Sequence, residues 1–271
     1  MRAIITLICA LLYLLPCDAI AGSKKGVCIT TKKGNTKTWK AKVDSLNVSW
    51  HYSWGARIPE PEPAGVEFVP MIYGFWGIDE GFKTVIRELA AGKPHRHRHL
   101  LGFNEPDSKK QANLPVDRAL KAWPYLMKTN LRLGSPAAVH ADRPWMQEFM
   151  RKARQQNLRV DFVTVHWYGG PNVESLVSHL KKVHQLYGKP IWITEFGVAD
   201  WNAKSLAENK HTPWRVQQFM KAALPRLDKL DFVERYAWFS AGEKSAALGP
   251  SALLRQDGSL TALGRYYASY Q

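Results

Sequence analysis

Two glutamates stand where this sequence could do chemistry. Leu100-Leu101-Gly102-Phe103 runs into Asn104-Glu105-Pro106-Asp107, and Ile191-Trp192-Ile193-Thr194 runs into Glu195-Phe196-Gly197. Each Glu follows four residues of the kind buried in a sheet, where carboxylates are rare unless partnered. Pro106 and Gly197 then turn the chain out of the strand. Two carboxyls on different strand ends, facing one mouth, are the equipment of glycoside hydrolysis. One protonates the leaving oxygen while the other attacks the sugar or activates water. Either Glu alone could serve an arginine at a rim. The repeated strand–Glu–turn context favours catalysis.

Eight short apolar or β-branched runs must position these residues: 26–30, 48–52, 68–73, 100–104, 131–135, 162–166, 191–195 and 236–240. Helical periodicity marks 39–46, 79–90, 116–130, 144–157, 173–187, 212–227 and 260–270. Strands alternating with helices predict βα units and a parallel sheet. Eight units in about 250 residues fit a single (β/α)8 TIM barrel, whose active site lies at the C-terminal strand ends. Pro59, Pro61 and Pro63 forbid a regular helix after the second strand. No linker interrupts the chain, so residues 22–271 read as one catalytic domain.

Composition excludes several classes. Eleven Trp, ten Tyr and ten Phe in 271 residues rule out a disordered chain, and three Cys rule out a disulfide scaffold. Arg2, an apolar run over 3–15, Pro16 and Ala19-Ile20-Ala21 form a secretory signal peptide over residues 1–21. The run falls short of the about 20 apolar residues a spanning helix needs. A secreted or periplasmic protein without a membrane span follows, and its mature chain keeps only Cys28. Pro16 argues against lipidation at Cys17.

The net charge of +15 suggests association with anionic surfaces. Without a zinc-finger spacing, Walker loop or RNA-recognition motif, nucleic acid is not an expected partner. His95, His97 and His99 alternate with Arg96 and Arg98 before the fourth strand. They enter it from the face opposite the catalytic mouth, without Cys or clustered carboxylates, and read as a solvated basic edge. No metal site is expected. Asn47-Val48-Ser49 is a glycosylation sequon that leads into a strand, and it is set aside.

In order along the chain, the motifs resemble clan A of the glycoside hydrolases, and more fully family 128, a group of β-1,3-glucanases on a compact barrel. The matching stretches include Lys25-Gly26-Val27, Val48-Ser49-Trp50-His51-Tyr52-Ser53-Trp54 and Phe68-Val69-Pro70-Met71. They continue through Leu101–Asp107, Val165-His166-Trp167-Tyr168-Gly169, Trp192–Gly197 and Tyr236-Ala237-Trp238-Phe239. The resemblance implies Glu105 as general acid/base, Glu195 as the nucleophile of a retaining mechanism and Asn104 as a ligand of the sugar 2-hydroxyl. It implies no cofactor. Tyr73 departs from the family pattern, in which Trp is common at that place.

His166 and Tyr168, on the neighbouring strand end, are placed to hold Glu195 ionised. Trp54, Tyr73, Trp76, Trp167, Trp201 and Trp238 fall at or beyond strand ends and suit the flat C–H faces of sugars. Trp54 and Trp238 are the favoured sugar platforms, and Trp50 and Trp192 are assigned to packing. The expected protein is a monomer acting on β-glucan. Two alternatives differ from it: a clan A enzyme for β-1,4-glucan or mannan, and a non-catalytic glucan-binding barrel. Retention of Glu105, Glu195 and Asn104 argues against the second.

Overall fold

The computed structural model describes residues 24–31, 39–59, 61–92 and 97–271. The expected signal segment lies outside them. Eight strands pair only in parallel: β1 (Lys25–Cys28), β2 (Trp50–Tyr52), β3 (Glu67–Phe68), β4 (His99–Leu100), β5 (Arg132–Leu133), β6 (Val163–Gly169), β7 (Ile191–Val198) and β8 (Val233–Phe239). Six of them adjoin in the order β3-β2-β1-β8-β7-β6, and β4 pairs with β5. Parallel bridges Met71–Leu101 and Gly134–Phe162 carry the sequence from β3 to β4 and from β5 to β6. The strands therefore follow ring order, as a (β/α)8 barrel requires.

Helices follow seven of the eight strands: α1 (Trp39–Ser45), α2 (Glu80–Ala90), α3 (Val116–Met127), α4 (Pro144–Gln155), α5 (Val173–Tyr187), α6 (Pro213–Asp228) and α7 (Ala262–Ser269). Between β2 and β3 the described residues form no helix, where Pro59, Pro61 and Pro63 withhold N–H donors and fix φ. The paired parts of β3, β4 and β5 are shorter than their apolar runs suggest. Pro70 and Pro136 cannot donate to a ladder, so the chain continues there in single bridges.

Period-two alternation sorts the side chains into two layers. Cys28, Trp50, Tyr52, Val69, Met71, Leu101, Phe162, Trp192 and Ala237 fill the barrel interior. A larger cluster joins the outer strand faces to the helices, with Val163, Val165, Ile191 and Ile193 against residues such as Leu180 and Phe219. Trp50 and Trp192 thus pack, as expected from the sequence.

Gly102 lets the strand bearing Glu105 close on its neighbour. A Cβ there would lie 2.9 Å from the Ser135 carbonyl and 3.0 Å from that of Gly134. Backbone cannot yield as a side-chain tip can, so Gly102→Ala is expected to cost about 1–3 kcal/mol. Thermal denaturation checks this; an unchanged Tm would contradict it.

The opposite face of the barrel corrects the reading of the histidine run. His99 is not a solvated edge: its Nδ1 lies 2.6 Å from Glu67 Oε1, and its ring sits 4.7 Å from that of Trp192. Arg235 bonds the other Glu67 oxygen at 2.7 Å. The paired charges hold Glu67 down to about 2: burial opposes its ionisation, and the His99 hydrogen bond and the Arg235 charge outweigh it. His97 packs edge-on against Phe68. His95 lies outside the described residues.

Candidate active site

Strand geometry brings the two glutamates together in a way that simple alternation would not. On β7, Trp192 faces the interior and Ile193 the helices. Strict alternation from there would turn Glu195 outward. The pairing with β6 instead skips a residue, from Val165–Ile193 to His166–Glu195, and the pairing with β8 is irregular over Ile193–Phe196. This bulge resets the phase, so Glu195 faces the cavity and Phe196 joins the outer core.

Glu105 is re-aimed by its backbone. Six non-glycine residues among those described have positive φ; four are Asn, and the others are Glu105 (40°) and Trp54 (57°). Both border the cavity. Strain of this kind costs about 1–3 kcal/mol and persists where the surroundings enforce it. Here Glu105 N donates to Ala137 O at 2.7 Å, and Asp107 Oδ1 accepts from Val139 N at 2.9 Å.

Glu195 is nearly buried, and its carboxylate is held on both oxygens. Oε1 accepts from Trp54 Nε1 at 2.7 Å and from Tyr52 OH at 3.0 Å, and Oε2 accepts from Tyr168 OH at 2.5 Å. Burial, then the Glu195 charge, pushes both tyrosines well above the ordinary phenol value, so they remain donors. His166 lies between the carboxylates, with Nδ1 3.0 Å from Glu105 Oε1 and Nε2 3.5 Å from Glu195 Oε1. Ligand atoms of Glu105, His166 and Glu195 all fall within 4.8 Å of one another. They form the one cluster of metal-ligand geometry found among the described residues. On Glu195, however, both oxygens already serve three donors.

Burial opposes the charged form of His166, but the Glu195 charge and the hydrogen bond and charge of Glu105 outweigh it. Its pKa is raised above the ordinary histidine value. A raised folded pKa adds stability that is complete below the unfolded value, about 6.5, and is lost as pH rises through the folded one. The Tm difference between wild type and His166→Asn is expected to be widest below pH 6.5 and to narrow above it. A difference independent of pH would contradict this.

These groups line a cavity of about 820 Å³ at the C-terminal strand ends. Asn104 is buried beside Glu105, and its Oδ1 has no protein partner, leaving an acceptor for a ligand hydroxyl. Tyr73 lines the wall and donates its OH to Gln111 Oε1. Trp54 and the 63% exposed Trp201 offer indole faces at the rim.

Trp238 corrects the sequence reading. It is fully buried, its Nε1 donates to Ser251 O at 2.9 Å, and its ring packs on Phe196, Phe219 and Tyr267. On β8, Ala237 and Phe239 face inward, so alternation sends Trp238 to the helix layer. Phe239 is the aromatic that reaches the cavity, edge-on to Trp54 and Tyr168. Trp167 touches the cavity wall, but it lies on the outward phase of β6 and stacks on Phe219 at 5.5 Å. Sequence reasoning missed Phe239 and Tyr52, which period-two counting from Ala237 and Trp50 could have found. Gln111, in a loop, gave no signal.

Comparison with known proteins decides the family. A family model described as glycosyl hydrolase catalytic core matches residues 26–267. A subgroup I endo-β-1,3-glucanase of glycoside hydrolase family 128 from Amycolatopsis mediterranei, solved with laminaritriose, shares 33% identity at a TM-score of 0.76. The match covers 92% of this chain and 99% of that one. The chain belongs to glycoside hydrolase family 128. A subgroup II endo-β-1,3-glucanase of the family from Sorangium cellulosum shares 29% identity at a TM-score of 0.72, over 90% of this chain and 97% of that one. The alkali-sensitive linkage protein 1 of Schizosaccharomyces pombe is 31% identical over 241 residues, which are 82% of this chain and 40% of that protein. This family 128 chain thus spans less than half the length of that curated relative.

Proposed function

We propose that this chain is an endo-acting β-1,3-glucanase that cleaves with retention. The observation that carries the reading is the approach of Glu105 and Glu195, with His166, within 4.8 Å. Retaining enzymes place their carboxyls about 5–5.5 Å apart, whereas inverting ones leave about 6.5–9.5 Å for a water. The β-1,3 linkage is supported by the family 128 relatives described as endo-β-1,3-glucanases.

In this mechanism Glu105 gives its proton to the glycosidic oxygen as a Glu195 oxygen attacks the anomeric carbon. The leaving chain departs, and Glu195 holds the sugar as a covalent ester. Glu105 then takes a proton from water as that water attacks, freeing the sugar with its original configuration. Tyr52, Trp54 and Tyr168 fix Glu195 for its attack, and Asn104 binds the sugar beside the bond. Tyr73, Phe239, Trp54 and Trp201 form the apolar walls. Two carboxylates and a stacked substrate suffice, so the chemistry asks for no metal or organic cofactor.

Tyr168→Phe removes one hydrogen bond to a charged group, about 1.5–3 kcal/mol. It is expected to lower kcat/KM on laminari-oligosaccharides by about tenfold or more, beyond any effect of a fall in Tm, because assaying at about 25 °C stays below the unfolding range. Steady-state kinetics that match wild type would remove Tyr168 from the site.

Arg2, the apolar run 3–15 and Ala19-Ile20-Ala21 support export, with the enzyme secreted or periplasmic. Both carboxylates and the groups that hold them belong to the same chain, so the proposed chemistry can be carried out by a monomer. No helix among the described residues is long and apolar enough to cross a membrane. Reducing-end release from laminarin, a β-1,4-glucan and a mannan tests the substrate. A ladder of laminari-oligosaccharides from laminarin alone is expected; cleavage of only the other two would overturn the β-1,3 assignment.

A further inference from the structure

Large apolar side chains left exposed are not scattered over this surface. Trp76, Leu186, Trp201, Leu206 and Trp214 are the exposed ones among the described residues, and only Leu186 borders none of the principal cavities. Three of them, Trp201, Leu206 and Trp214, fall within one stretch leading from β7 into α6. Trp201 borders the catalytic cleft. Leu206 and Trp214, at 46% and 69% exposure, border a second cavity of about 640 Å³.

The two cavities lie on either side of the same pair of loops. Leu248 lines the first, and its neighbour Gly249 lines the second. Leu206 rests so closely on Gly249 that a Cβ there would stand 2.6 Å from Leu206 Cδ1. Asn209 Nδ2 ties the loops together through Ala246 O at 2.7 Å and Ala247 O at 3.0 Å, and Asp200 N donates to Ala247 O at 3.0 Å. Thr212 caps α6 by accepting from Arg215 N, which fixes the backbone under Trp214. The second cavity is therefore preformed.

Its lining combines one indole face with polar groups. Gln217 and Glu243 lie in the wall, as does His211, which is only 7% exposed with neither ring nitrogen hydrogen-bonded. A buried polar side chain without a partner is costly unless something satisfies it. Burial and the adjacent Lys210 keep the His211 pKa below its ordinary value, so near neutral pH the ring offers one donor and one acceptor. Hydroxyls match that pair, and a pyranose face matches the indole.

We propose that Trp214 and this cavity form a second β-glucan-binding site, reached by a chain that leaves the catalytic cleft past Trp201 and Leu206. The proposal rests on the β-1,3-glucanase reading for the identity of the polymer. The site takes a distant part of a long chain, so it tethers polymer and leaves short substrates untouched.

The test compares wild type, Trp214→Ala, Trp214→Tyr and Leu186→Ala in two assays: co-sedimentation with insoluble β-1,3-glucan and hydrolysis of laminaripentaose. Loss of an aromatic anchor is expected to weaken sedimentation about tenfold in Trp214→Ala. Trp214→Tyr should restore most of it, and Leu186→Ala should behave as wild type. Pentaose turnover should stay the same in Trp214→Ala. Unchanged sedimentation in Trp214→Ala, or an equal loss in both assays, would overturn the proposal. Sedimentation needs no turnover, so the two readings fail separately. Trp214-dependent binding without cleavage sinks the hydrolase and keeps the site, and cleavage with Trp214-independent binding does the reverse.

Discussion

Glu195→Gln is expected to lower kcat on β-1,3-glucan by about 10⁴-fold or more, the scale of losing a nucleophile. The substitution keeps the side-chain volume, and the amide oxygen can still accept from Trp54 and Tyr52, which now meet Oε1 at 2.7 and 3.0 Å. The amide nitrogen would face Tyr168, whose hydroxyl can turn to accept as well as donate. The cleft therefore keeps its shape and its sugar-binding groups, and only the attacking electron pair is lost. Glucan affinity should stay within a few-fold of wild type. Initial-rate assays beside a binding titration check both halves. Activity within tenfold of wild type would remove Glu195 from the reacting centre.

Glu105→Ala should behave differently, because an acid matters in proportion to what leaves. On laminarin, where the leaving group is a sugar alkoxide, the loss is expected at about 10²–10⁴-fold. On an aryl laminarioside with a strongly acidic phenol, departure needs little protonation and the first step should be nearly normal. Turnover of the ester then becomes limiting, since no base activates water. A small nucleophile such as azide can enter the space left by the side chain and should restore turnover. Equal losses on both substrates, with no effect of azide, would contradict the acid/base role.

Much of this was legible because each glutamate interrupts a buried run. Glu105 and Glu195 follow apolar tetrapeptides, and nothing about a barrel strand accounts for them except partnership or catalysis. Helices were legible from their apolar faces, and the missing one from three prolines. Side-chain direction was harder to read. Trp238 looked like a platform because it lies at a strand end, yet Ala237 and Phe239 hold the inward phase on β8. The shift that turns Glu195 inward is a property of pairing with β6, and no local pattern on β7 reports it. The hydrogen bond that holds His99 comes from Glu67, which Arg235 also binds, so its neighbours in sequence said nothing about its surroundings.

The most direct measurement follows the anomeric protons by NMR during the first turnovers of laminarihexaose. The close approach of Glu105 and Glu195 predicts that the new reducing end appears first as the β-anomer and reaches the mutarotation equilibrium only later. Appearance of the α-anomer first would mean that water attacks directly, and would contradict the nucleophilic role of Glu195.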